Sequence, residues 1–138
     1  MTAEPTLRGG CLCGALRYQC GAPIYPAAYC HCTSCRRAAG AHAVAWFTVQ
    51  SSLLVFTQGQ PAIYRSSPPV QRAFCARCGT PLTYRHDDWV GQVDVTIGSL
   101  DEPARVAPVA HIWMQDAPSW DRPGDGLPSH PRTPRDAP

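Results

Sequence analysis

With 138 residues and 15.0 kDa, the chain has room for one domain of ordinary size and no second core. Its 44% apolar and 16% charged residues exclude a disordered chain, and the lack of any run of about 18 apolar residues excludes a membrane-spanning helix. Twelve basic residues, every one Arg, face ten acidic ones for a net charge of +2, which implies neither nucleic acid nor an anionic membrane as partner. The lack of Lys removes Schiff-base chemistry and leaves Arg as the side chain able to fork onto a carboxylate. The opening MTAEPTLRGG has no basic segment, apolar run or small-residue cleavage site of a secretory signal, so a reducing cytoplasm is the expected compartment.

Residues 1–7 read as a flexible N-terminus, 8–122 as the folded domain and 123–138 as a Pro-rich tail in which no chemistry is expected. Inside the domain the apolar spacing is mostly two. Leu16, Tyr18 and Cys20 alternate with Arg17 and Gln19, the pattern of a half-buried strand. Thr33 or Ser34 can cap a turn or two of helix through Cys35, Arg36, Arg37, Ala38 and Ala39, ended by Gly40. Short strands follow over 43–49, 53–57, 62–65 and 82–85, rich in branched and aromatic residues and separated by Gly, Pro or Ser. Val93, Val95 and Ile97 alternate with Gln92, Asp94 and Thr96, and 109–114 supplies the last strand. The expected class is mainly β, a single antiparallel or mixed sheet domain with one short helix after the central cysteines.

Seven of the eight cysteines fall into tight groups: Cys11 and Cys13, Cys30, Cys32 and Cys35, and Cys75 and Cys78. A secreted disulfide scaffold is disfavoured by the missing export signal and by a cysteine density below the usual range, so the grouping points to metal. Both sulfurs of the Cys75-x-x-Cys78 turn can face one ion, and Gly79 can take positive φ so that backbone N–H groups point at thiolates. Cys11 and Cys13, on a turn flanked by Gly10 and Gly14, complete a closed, structural four-thiolate site. The trio Cys30, Cys32 and Cys35 has no evident fourth ligand, which leaves an open position for water or substrate and makes it the candidate active centre. The alternative is a second closed site with His31 or another His as the fourth ligand. Cys20 shares a strand face with Leu16 and Tyr18 and reads as a small buried apolar residue. His42, His86 and His111 lack ligand spacing, and His111 reads as a hydrogen-bonded structural histidine. Trp46, Trp89, Trp113 and Trp120 read as core and rim aromatics, one of which could wall a cleft. Arg36 and Arg37, beside the trio, either hold an anionic substrate or are solvated surface charges.

Taken together, Gly10-Cys11-Leu12-Cys13-Gly14, Cys30-His31-Cys32-Thr33-Ser34-Cys35-Arg36-Arg37 and Phe74-Cys75-Ala76-Arg77-Cys78-Gly79-Thr80-Pro81-Leu82 resemble the glutathione-dependent formaldehyde-activating enzyme family, also called the family of centromere protein V. Gly98-Ser99-Leu100-Asp101, Pro108, His111-Ile112 and Trp120 extend the resemblance over about residues 8–128. It implies a mainly β zinc fold of the type seen in methionine sulfoxide reductase B, with two zinc ions per chain. The structural ion would sit on Cys11, Cys13, Cys75 and Cys78, and the catalytic, more labile one on Cys30, Cys32 and Cys35. The family's named reaction joins glutathione to formaldehyde and is classed with carbon–sulfur lyases.

Two functions from different classes follow. The first is a cytoplasmic zinc enzyme of the carbon–sulfur lyase type, acting on adducts of a small thiol such as glutathione with an aldehyde. The second is a non-catalytic, zinc-stabilised thiol carrier or protein-interaction module. A nucleic-acid role is unsupported without Lys or a basic tail, and a methionine sulfoxide reductase role would need a free nucleophile such as Cys20.

Overall fold

Short runs of branched and aromatic residues, broken by Gly, Pro and Ser, form ten strands and one helix in the computed structural model, which describes residues 6–134. In chain order these are β1 (Leu7–Gly10), β2 (Arg17–Cys20), β3 (Ala27–Cys30), α1 (Thr33–Ala39), β4 (Val44–Gln50), β5 (Val55–Gln58), β6 (Ala62–Ser67), β7 (Val70–Phe74), β8 (Pro81–His86), β9 (Gln92–Thr96) and β10 (Pro108–Ile112). Three strands make a small sheet in the order β1-β2-β5, and seven make a large one in the order β10-β3-β4-β9-β8-β7-β6. All pairs are antiparallel except β10 with β3. The mainly β class with a single short helix after the central cysteines is therefore the class observed.

The period-two alternation decides which face each side chain takes. Phe47, Val49, Val93, Val95 and Leu82 of the large sheet are buried and meet Leu16, Tyr18 and Cys20 of the small one in one core. Burying each such side chain is worth about 1.5–3 kcal/mol. Cys20 is 2% exposed and packs among these residues; burial pushes its thiol up to about 11. The other face of the large sheet follows from the registers. Cys30 pairs with Val44, Trp46 with Thr96, Thr48 and Tyr84 with Asp94, and Arg72 with Tyr84. One outer face thus carries Cys30, Trp46, Thr48, Asp94, Tyr84 and Arg72.

Several elements differ from the sequence expectation. β1, β3 and β7 are additional strands: each is only four or five residues long, too short for alternation to show. Residues 51–53 form a 3-10 turn instead of opening the strand that begins at Val55. The helix is capped by Cys32 rather than Thr33 or Ser34; its sulfur accepts the Cys35 N–H at 3.3 Å. Gly40, with φ of 63°, ends the helix and returns its N–H to Arg36 O. Trp46, Trp89, Trp113 and Trp120 all lie outside the buried core, Trp89 and Trp120 largely exposed.

The ends also differ. Residues 1–5 of the flexible N-terminus and 135–138 of the tail lie outside the described residues, but Leu7 is buried and opens β1. The tail's described part is docked: Pro128 O accepts from His111 N and His111 O from His130 N, both at 2.8 Å, and Arg132 O accepts from Trp113 N at 2.8 Å. β10 is the edge of the large sheet, so its backbone groups need partners, and proline carbonyls can accept although proline cannot donate.

Candidate metal centre

Two turns bring four sulfurs together beside the core. Gly14 and Gly79, with φ of 80° and 84°, let the chain double back, so that Gly14 N–H reaches Cys11 O and Gly79 N–H reaches Cys75 O. The sulfurs of Cys11, Cys13, Cys75 and Cys78 all lie within 4.8 Å of one another. Cys11 to Cys13 is 3.6 Å and Cys13 to Cys75 is 3.8 Å. A tetrahedral ion with metal–sulfur bonds of about 2.3 Å needs edges of about 3.8 Å, whereas a disulfide needs about 2.05 Å; all eight cysteines are unpaired. The donors around the sulfurs suit thiolates. Leu16 N–H donates to Cys11, and the N–H groups of Arg77 and Cys78 donate to Cys75. The Thr80 hydroxyl beside Cys78 holds that thiol down at about 5. Thr80 also accepts Leu12 N–H, tying one turn to the other. This donor set fits zinc.

The second cluster is Cys30, Cys32 and Cys35, again within 4.8 Å. β3 supplies Cys30, and α1 supplies Cys35 one turn after its cap, Cys32. Among the described residues no fourth His, Cys, Asp or Glu joins them. His31 is turned away: its Nδ1 lies 2.6 Å from Asp121 and its Nε2 2.8 Å from His111 Nδ1, while His111 Nε2 lies 2.8 Å from Asp125. His31, His111 and Asp121 are buried. Both His31 nitrogens are therefore engaged elsewhere, and the chain Asp121–His31–His111–Asp125 clamps the loop between Cys30 and Cys32. His111 is hydrogen-bonded through both ring nitrogens, as expected. A cleft of about 380 Å³ opens over this chain, lined also by Tyr29, His42 and Trp120.

The three crowded thiols cannot ionise alike. Hydrogen bonds from Cys30 and Cys35, helped by the Cys35 N–H and the Arg72 charge, hold Cys32 far below its ordinary value. Hydrogen bonds with Cys32 and Cys35, and then burial, push Cys30 up. A dication reverses that repulsion and lets all three coordinate as thiolates. This donor set also fits zinc, with three sulfurs and no fourth ligand side chain among the described residues.

The expected anion holders behave differently from each other. Arg37 is exposed, whereas the Arg36 Nε is buried with no hydrogen-bond partner. Sequence reading missed Arg72, both of whose terminal nitrogens lie 3.8 Å from Cys35 Sγ. It also missed the polar groups beyond Arg72 on the outer face. Burial pushes the Asp94 carboxyl up to about 6 against the hydrogen bond from Thr48, and burial lifts Tyr84 to about 12. Their outward positions in the alternating strands were the available signal.

The chain matches known proteins in three kinds of comparison. The sequence model of the family described as Glutathione-dependent formaldehyde-activating enzyme matches residues 6–116. A Halomonas elongata protein named "Putative glutathione-dependent formaldehyde-activating enzyme" is 29% identical over 127 residues, covering 83% of this chain and 78% of its own. The crystal structure of a Rhodobacter sphaeroides protein superposes with a TM-score of 0.58 over 68% of this chain and 87% of its own, at 23% identity, a likeness of fold. With both cysteine clusters inside the matched span, the chain belongs to the glutathione-dependent formaldehyde-activating enzyme family.

Proposed function

We propose that this protein is a zinc enzyme of the carbon–sulfur lyase type that makes or breaks the adduct of a small thiol, such as glutathione, with an aldehyde such as formaldehyde. The observation that carries the reading is the trio of sulfurs with no fourth ligand among the described residues. In this reading Cys11, Cys13, Cys75 and Cys78 hold a structural zinc, and Cys30, Cys32 and Cys35 hold the catalytic one. A zinc ion on the trio would supply an open position that favours thiolate over thiol. The incoming sulfur attacks the carbonyl carbon; a C–S bond forms, the C=O π pair moves to oxygen, and oxygen takes the proton that the thiol gave up. The reverse order releases the aldehyde.

The chain's own residues do the rest. Arg36 and Arg37 sit beside Cys35 on α1, where a guanidinium can fork onto a substrate carboxylate. The His31 chain fixes the loop that carries Cys30 and Cys32. Asp94, its carboxyl pushed up to about 6 by burial against the hydrogen bond from Thr48, lies on the same sheet face. Eight unpaired thiols suit a reducing cytoplasm.

Metal analysis should return about two zinc ions per chain. Exchange spectroscopy on glutathione with labelled formaldehyde should show faster adduct formation and breakdown with wild type than with Cys32→Ser. Thiol binding without any change in exchange rate would select the non-catalytic carrier instead.

A further inference from the structure

Three thiolates around a dication leave a net charge of −1, and a fourth, incoming thiolate makes it −2, so an open site of this kind resists the ligand it is meant to take. We infer that Arg72 offsets this charge and so sets the affinity of the open centre for anionic ligands; the inference rests on the trio being an open metal centre.

Arg72 lies on β7, outside the cysteine motifs, and its guanidinium is held in one orientation by three partners. Both terminal nitrogens point at Cys35 Sγ at 3.8 Å, Nε donates to Ser66 Oγ at 3.2 Å, and the carbon between them lies 5.0 Å from the centre of the Tyr84 ring. Among the described residues no carboxylate pairs with it, in contrast with Arg17, Arg65 and Arg105, which face Asp101, Asp87 and Glu102. Among the described residues the anionic group that Arg72 contacts directly is the Cys35 sulfur. The position is partly buried, where an opposite charge is screened less than at the surface. The four-sulfur cluster has Arg17 near Cys11, but that guanidinium is already paired with Asp101. Its sulfurs are satisfied by backbone N–H groups, which suits a closed shell that accepts nothing further. Arg72 is a positioning residue: it touches a ligand sulfur, and its charge acts on whatever occupies the free position.

The test uses the cobalt-substituted protein, whose visible bands report ligands added at the open centre, with Cys32→Ser to show that the response belongs to the trio. 2-Mercaptoethanol binds as an anion and imidazole as a neutral ligand, and neither carries a carboxylate for another Arg to hold. In Arg72→Gln the thiol should bind about tenfold or more weakly, the usual effect of one opposite charge at this range, while imidazole affinity stays within about twofold. Arg72→Lys should restore most of the thiol affinity. Unchanged thiol binding, or equal weakening of both ligands, overturns the inference, the second because it marks a merely structural role. If Arg72→Gln does not load cobalt, Arg72→Lys decides alone: thiol affinity within about threefold of wild type, with imidazole unchanged, supports charge compensation, and a tenfold loss overturns it. A wild-type protein that binds neither ligand refutes the open centre itself, a failure distinct from that of Arg72.

Discussion

The two cysteine clusters use the same atom for different ends, and their surroundings show it. The four-sulfur cluster lies against the core: Cys75 is 2% exposed and Cys11 and Cys78 pack beside it. It ties residues 62 and more positions apart, and the N–H and O–H groups on its sulfurs among the described residues come from the backbone and from Thr80. The three-sulfur cluster is local, spanning one strand end and one helix start. Among the described residues no fourth ligand side chain joins it, and the charge beside it comes from a side chain, Arg72. In the reading proposed above, a cross-link between the small sheet and the large one serves stability. In the same reading a cluster within six residues of chain adds little to stability and serves binding.

The sharpest way to break this contrast is a pair of substitutions. Structural zinc in small finger peptides is worth about 10–16 kcal/mol, comparable with a domain's net stability of about 5–15 kcal/mol. Cys78→Ser should therefore abolish cooperative unfolding followed by circular dichroism. Cys32→Ser should lose thiol binding yet shift Tm by less than about 5 °C, because Ser still caps α1. Comparable loss of structure in both would make the clusters equivalent and remove the distinction.

A smaller effect concerns the buried carboxyl on the outer face of the large sheet. Asp94 takes its proton at about 6 when folded against 3.8 otherwise, so its favourable contribution is complete below 3.8 and is lost as pH rises through 6. Asp94→Asn should raise stability at about pH 8 by about 2 kcal/mol, allowing for partial exposure, and change nothing at about pH 3.5. A variant destabilised at pH 8 would assign Asp94 a structural role. The smallest effect belongs to the Arg17–Asp101 pair, which joins β2 to the loop after β9 through two contacts of 2.9 and 2.5 Å. Its side chains are 37% and 46% exposed, so Arg17→Met should cost less than about 1 kcal/mol in denaturant unfolding. A larger loss would show that charge pairs share the stabilising role assigned to the four-sulfur cluster.

The cysteine groups were legible because ligand spacing is local: a C-x-C or C-x-x-C turn points its sulfurs together whatever the rest of the chain does. The alternating strands from Val93 and around Tyr18 were legible for the same reason. Short strands such as β3 and β7 were not, since four or five residues without strict alternation carry no period. The helix cap was misplaced because Thr33 and Ser34 are ordinary caps and a ligand sulfur is an unusual one. Of the core and rim aromatics expected, the four tryptophans all stand outside the buried core, and Trp120 lines the cleft over His31 and His111.

The sequence by itself determined the class, the two sets of sulfurs and the family, because all three rest on patterns within a few residues. Tertiary structure alone decided what surrounds the sulfurs. His31 is withdrawn from the trio by partners 80 and 90 positions away, the segment after Trp120 is docked to supply Asp121 and Asp125, and Arg72 reaches Cys35 across 37 positions. Such contacts depend on strand register and sheet order, which pair distant residues by burial and backbone hydrogen bonding and leave no mark in local spacing.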